Sequence, residues 1–283
     1  MESHQAPGPD SGTMLDIRQI FKTFNAATAN ELRALQGIDL SVEEGSFVIV
    51  VGTNGSGKST LLNAIAGTFP VDAGTIRIDG VDVTAWPEHR RASLVGRVFQ
   101  NPFSGTAPSM TIAENLVLAT RRGRGRGLGW ALTGRTRGEL RDRVRWLNMG
   151  LEDRLDNPIG SLSGGQRQAL TLLMASWVKP KLLLLDEHTA ALDPKSADQV
   201  IRLSQEIVSR DKLTTLAVTH SMTQVTHLGD RVVMMHRGRV IHDFRDAEKR
   251  RLRVDDLLAR FEEVRRAEQI DETAAEMLRQ MYA

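Results

Sequence analysis

The 283-residue chain contains no cysteine, which excludes a disulfide framework and any metal site built on thiolates. It has a single tyrosine, and aromatic residues make up only 5% of it, so a core must be built from aliphatic side chains. No apolar run approaches the ~20 residues needed to cross a bilayer. The longest, at 47–51 and 182–185, read as buried strands. Residues 1–13 offer Pro7, Gly8, Pro9 and Gly12 but no apolar segment, so they are expected to be a disordered leader without a secretory signal. An excess of charge of one sign is also missing, because 37 basic residues nearly balance 35 acidic ones. That balance is uneven along the chain: residues 121–145 hold nine arginines against Glu139 and Asp142.

What the chain does contain is strand and helix patterning in alternation. Residues 15–24 and 35–42 alternate apolar and polar side chains as half-buried strands do, with a polar loop at 25–30. Residues 47–51 have the pattern of a strand buried on both faces of a parallel sheet, and a helix is predicted over 59–66. Further strands are predicted at 73–83, 95–99, 181–186 and 214–218, a helix at 196–210, and a hairpin over 232–244 that turns at 236–239. Between 101 and 178 the spacing becomes helical, at 111–119, 138–149 and 164–178, which predicts a helical lobe. Strands alternating with helices imply an α/β fold with a mostly parallel sheet. The charged tail from 246 carries Leu257, Leu258 and Phe261 among other apolar positions, and fits two amphipathic helices.

Gly52-Thr53-Asn54-Gly55-Ser56-Gly57-Lys58-Ser59-Thr60 fits G-x-x-x-x-G-K-[ST], with a strand before it and a helix after it as that motif requires. In such a loop backbone N–H groups wrap phosphate oxygens, the lysine reaches the terminal phosphates and the hydroxyl reaches Mg²⁺. The chemistry at this point is that of a nucleoside triphosphate. A hundred residues later, Leu162-Ser163-Gly164-Gly165-Gln166 matches the signature sequence of ATP-binding cassette (ABC) proteins.

Both motifs in this order make the chain similar to an ABC transporter ATPase subunit over about residues 15–245. The resemblance implies a P-loop NTPase fold with a RecA-like core sheet, an antiparallel β lobe and an α-helical lobe. It divides the chain into a leader at 1–13, an ATPase domain at 14–245 with its helical lobe at about 101–178, and a helical tail at 246–283. It implies ATP and Mg²⁺ as ligands. Residues 182–187, Leu-Leu-Leu-Leu-Asp-Glu, resemble the Walker B strand, so Asp186 is expected to orient Mg²⁺ and Glu187 to polarise the attacking water. Gln100 resembles the Q-loop glutamine that touches Mg²⁺ and water, and His220 the switch histidine that contacts the γ-phosphate. Ser163, Gly164, Gly165 and Gln166 are expected to close over a nucleotide bound to a second cassette, with Asp193 crossing that interface as the D-loop.

The family pattern places the partners as a second cassette, expected to be an identical copy, and separate transmembrane permease subunits, with an extracytoplasmic solute-binding protein if the system imports. The chain is then expected at the cytoplasmic side of the cell membrane as a peripheral subunit, and nucleic acid is not expected as a partner. The run 186–195 also looks like that of ATPases serving bacterial importers whose partners resemble tryptophan/tyrosine-type binding proteins.

Two readings stand for several residues. Phe24 occupies the place of the family's adenine-stacking aromatic, and a strand-end phenylalanine is also commonly buried. His188 replaces the proline that most members have after the glutamate, as a loop substitution or as a group that tunes the site. The Arg/Gly stretch at 121–137 has the composition of a solvated loop, and its charge also suits lipid phosphates or a permease. Two other classes fit less well. A soluble ABC switch usually carries two cassettes or a long coiled coil before the signature, and a degenerate cassette would lack Glu187 and His220.

Overall fold

Residues 47–51 end up at the centre of the molecule because their side chains meet apolar partners on both sides. The computed structural model describes residues 12–123, 132–264 and 266. In it β3 (Phe47–Gly52) lies inside a six-stranded sheet, between β8 (Thr214–Val218) and β9 (Arg231–His236). β7 (Leu182–Asp186) and β6 (Val95–Val98) continue the sheet on the β8 side, all parallel, and β10 (Arg239–Arg245) closes the other edge antiparallel to β9.

Successive side chains of a strand point to opposite faces, and this divides the core in two. Val48 and Val50 of β3 and Leu182 and Leu184 of β7 pack into one buried cluster, while Ile49, Val51, Leu183 and Leu185 pack into the other. The first cluster is completed by α1 (Lys58–Ala66) and by a four-stranded antiparallel sheet ordered β2 (Leu32–Glu43), β1 (Thr13–Phe24), β4 (Ala73–Ile78), β5 (Val81–Asp82). The second cluster is completed by α3 (Ile112–Thr120), α4 (Gly134–Arg145), α5 (Gly164–Trp177) and α6 (Pro194–Asp211). Burial on both faces explains why these strands read as uninterrupted apolar runs.

Several elements differ in detail from the sequence reading. The strand expected at 73–83 is a hairpin, because Asp79 and Gly80 both take positive φ and turn the chain between β4 and β5. α4 starts at Gly134 and not at 138, since Thr133 caps it by accepting a hydrogen bond from the Thr136 N–H. The short helices α2 (Glu88–Arg91) and α7 (Met222–His227) carried too little periodic signal to be predicted. Arg122, read as part of a solvated loop, is half-buried and donates to the carbonyls of Ala175 and Val178 at the end of α5. Residues 124–131 of that stretch lie outside the described residues. In the tail, α8 (Asp246–Arg251) and a helix over 254–264 are present, and Leu257 is fully buried against the second cluster. The tail's remaining apolar positions, Ile270, Met277 and Leu278, lie outside the described residues.

Candidate functional site

The parallel strands β3, β7 and β8 end on one edge of the sheet, where open α/β folds collect their ligands. β3 delivers the loop 53–57 and then α1. Gly57 has φ +98, and a Cβ there would lie 2.5 Å from the Ala34 carbonyl oxygen, so the turn is possible only for glycine. No side chain caps α1 and no acidic residue sits in its first turn, leaving the helix's positive end open to an anion. The Ser56 hydroxyl is buried and has no hydrogen-bond partner, a second polar group facing inward around this loop.

Lys58 is 5% exposed, and its ammonium donates to the carbonyls of Gly52 and Thr53 at 3.0 Å each. Burial pushes its pKa below the usual lysine range, while the charges of Glu187 and Asp186 oppose that shift. The Ser59 hydroxyl lies 3.3 Å from Asp186 Oδ1, joining the loop to the end of β7. Arg97 approaches the other carboxylate oxygen of Asp186 at 3.5 Å.

Glu187 follows directly, in a left-handed conformation with φ 44, one that non-glycine residues adopt uncommonly. Its N–H donates to the Val218 carbonyl at 3.0 Å, fixing it beside the end of β8. His220 Nε2 donates to its Oε1 at 2.5 Å, and Gln100 Nε2 to its Oε2 at 3.3 Å. Lys58, Ser59, Gln100, Glu187 and His220 line one cleft of about 690 Å³ together with Asn54, Gly55, Gly57 and Thr60. A carboxylate gripped by an imidazole and an amide, facing a buried lysine and a run of N–H donors, is equipped to activate water beside a bound phosphate.

The remaining candidates are placed elsewhere. Phe24 packs edge-on against Phe69 with ring centroids 5.2 Å apart, under the Lys22 ammonium, and does not line the cleft. At the cleft itself the side chains from the antiparallel sheet are Leu32, 57% exposed, and Ala34. Ser163 and Gln166 form a reciprocal cap on α5, and neither they nor Gly164, Gly165 and Asp193 line the cleft. Asp193 caps α6 by accepting from the Ser196 N–H at 3.0 Å. The two helix starts touch: a Cβ on Gly165 would lie 2.7 Å from Ser196 Cβ. The signature and Asp193 therefore form one surface of their own, of which Ser163, Gly164 and Asp193 are exposed.

His188 turns away from the cleft. It is 7% exposed and hydrogen-bonded to Ser204 of α6 at 3.0 Å, and desolvation lowers its pKa to about 4, so it is neutral near pH 7. Three residues escaped the sequence reading. Gln168 of α5 is fully buried and donates to the Phe99 carbonyl, one residue before Gln100. Arg167 donates to the carbonyls of Ile159, Gly160 and Leu162, fixing the loop that enters the signature, and stacks on Phe103. Gln224 of α7 bridges the loops that follow β7 and β8. All three act across tertiary contacts, and only the adjacency of Arg167 and Gln168 to the signature could have marked them.

Residues 35–190 match the family model described as ABC transporter. The chain is 42% identical over 249 residues to the tyrosine transport ATP-binding protein of Clostridioides difficile, covering 88% of this chain and 99% of that relative. It is 35% identical to the methionine import ATP-binding protein MetN 1 of Pseudomonas putida, over 83% of this chain and 68% of that one. Among solved structures, the dimeric post-hydrolysis state of the ATP-binding cassette MJ0796 bound to ADP and Pi superposes with a TM-score of 0.70. The identity there is 27%, over 81% of this chain and 97% of that chain.

Proposed function

Because this chain belongs to the ABC transporter family, as an ATP-hydrolysing subunit that powers transport, we propose that it drives import of tyrosine or a closely related amino acid. In this reading two identical copies work beneath separate membrane-spanning permease subunits. The observation that carries the hydrolytic part is the convergence of His220 and Gln100 on Glu187, across the cleft from Lys58. The solute class rests on the match to the tyrosine transport relative along 99% of its length.

Each candidate then has a task. The N–H groups of Gly52 to Thr60 and the Lys58 ammonium hold the phosphates, and Phe24, set outside the cleft against Phe69, would stack on an adenine that extends beyond the cleft lining. Ser59 and Asp186 present a hydroxyl and a carboxylate oxygen 3.3 Å apart, oxygen donors of the kind that suit Mg²⁺. When bound there, Mg²⁺ supplies charge neutralisation at the phosphates. Glu187 accepts the proton of the attacking water, His220 orients Glu187 and reaches toward the γ-phosphate, and Gln100 reports on the same carboxylate.

Ser163 to Gln166 and Asp193 lie outside the cleft, so a second copy must bring its own signature over the first copy's nucleotide. The solved MJ0796 dimer shows that a cassette of this fold pairs. No helix among the described residues is long and apolar enough to cross a membrane, in keeping with permeases on other chains. A groove beside Gln100, lined by Val95, Phe99, Leu118, Arg122 and Met174, is where a permease segment would seat. The chain would then sit at the cytoplasmic face of the membrane, and a solute-binding protein would deliver the cargo from the other side.

The test is reconstitution of the tagged chain with the permease that co-purifies with it. Vesicles loaded with ATP should accumulate labelled tyrosine in the presence of the cognate binding protein, and not methionine. Accumulation of methionine alone would overturn the solute assignment, and failure to co-purify any membrane protein would overturn the permease arrangement.

A further inference from the structure

His220 sits in a stretch without regular secondary structure, with its side chain 43% exposed and its ring bonded to Glu187. The loop around it is fixed through its flanking residues, Thr219 and Ser221. Thr219 Oγ1 donates to Gln224 Oε1 at 2.6 Å and accepts from the Ser221 N–H at 3.1 Å. The Ser221 hydroxyl in turn accepts from the Gln224 N–H at 3.4 Å and caps α7. The same Gln224 side chain reaches the other loop, donating from Nε2 to Thr189 Oγ1 at 3.3 Å, two residues beyond Glu187. One amide therefore spans the gap that opens where β7 and β8 stop pairing, after Asp186 and Val218. Reversing that amide would preserve both bonds, because each threonine hydroxyl both donates and accepts.

We propose that Gln224 is a positioning residue for ATP hydrolysis: by clasping Thr189 and Thr219 it sets the reach of His220 to Glu187. The proposal rests on the reading that Glu187 and His220 carry the reaction. Its physical basis is that a general base works within a narrow geometric window, where a misplacement of about 1 Å costs on the order of 10²-fold in rate. The clasp touches neither Lys58 nor the loop 52–57, so nucleotide affinity should not depend on it.

The experiment is steady-state phosphate release by the full chain and its variants, with ATP varied. Gln224→Leu, which keeps the volume and removes both bonds, should lower kcat by ~10- to 100-fold, with KM for ATP within about twofold of the original. Thr189→Val removes one arm of the clasp and should lower kcat in the same direction, whereas Thr189→Ser, which keeps the hydroxyl, should restore it. This pair decides the matter if Gln224→Leu does not fold. In a His220→Ala background, Gln224→Leu should cause no further loss, because the residue acts through His220. Turnover within about twofold of the original in Gln224→Leu, or an equal loss with and without His220, would overturn the clasp and leave the site reading standing. Unimpaired turnover in His220→Ala alone would overturn the site reading and the clasp with it.

Discussion

The cleft at the ends of β3, β7 and β8 and the exposed surface at the starts of α5 and α6 contrast sharply. In the cleft, residues separated by more than a hundred positions meet, as His220 and Gln100 do on Glu187. Their hydrogen bonds run between distant segments. At the signature surface the bonds are mostly local: Ser163 and Gln166 cap each other and Asp193 caps its own helix, with one longer reach from Gln166 Nε2 to the Met149 carbonyl. One region is assembled by the fold, and the other is an outward-facing pair of helix ends with polar groups turned to solvent. A cleft of this kind can bind a nucleotide from a single chain, whereas the surface acquires a partner only from outside.

Four substitutions would break or sharpen this contrast. The largest effect is expected from Glu187→Gln, which keeps the size but removes the base and leaves one acceptor oxygen for the two donors, His220 and Gln100. Phosphate release should fall by about 10²- to 10⁴-fold while nucleotide binding persists, and size-exclusion chromatography with ATP should show an accumulated dimer. Undiminished turnover would take Glu187 out of the mechanism. Next is Lys58→Ala, which removes a buried charged donor and should weaken ATP binding by about 10- to 100-fold in equilibrium titration. Mixed with Ser163→Arg, itself inactive through its blocked outer surface, Lys58→Ala should regain phosphate release, since a mixed pair contains one intact composite site. Silence of the mixture would mean that the two regions do not work across copies. The smallest effect is expected from Gly165→Ala, whose Cβ would press on Ser196 at 2.7 Å. It should lower stability by about 1–3 kcal/mol, read as a drop in Tm, and reduce turnover through the displaced α6 start.

How much could be read from the chain follows the same divide. The phosphate loop is contiguous and its spacing announces it, the mostly parallel sheet and the helical lobe follow from the strand and helix patterns, and the signature, the roles of Asp186 and Glu187 and the antiparallel lobe became legible through the resemblance to the family. Gln168 and Gln224 were not legible. Each is an ordinary glutamine whose partner, Phe99 or Thr189, becomes a neighbour only when the sheet assembles. His188 was legible as a departure from the family pattern, but not its direction, because only the position of α6 turns it onto Ser204 and away from the cleft. Arg122 misled in the opposite sense: composition put it in water, and the carbonyls at the end of α5 drew it in. Phe24 was found at its expected strand end, yet its packing on Phe69 required the turn between α1 and β4 to fold back.

α5 begins at the exposed signature and, one turn on, Gln168 is bonded to the main chain just ahead of Gln100, while its far end is held by Arg122. It is thereby anchored like a crankshaft, at its head, beside its first turn and at its foot. The start of α5, the main chain ahead of Gln100 and the wall of the groove beside it are therefore tied into one hydrogen-bonded unit, in which none of the three has a mooring wholly its own.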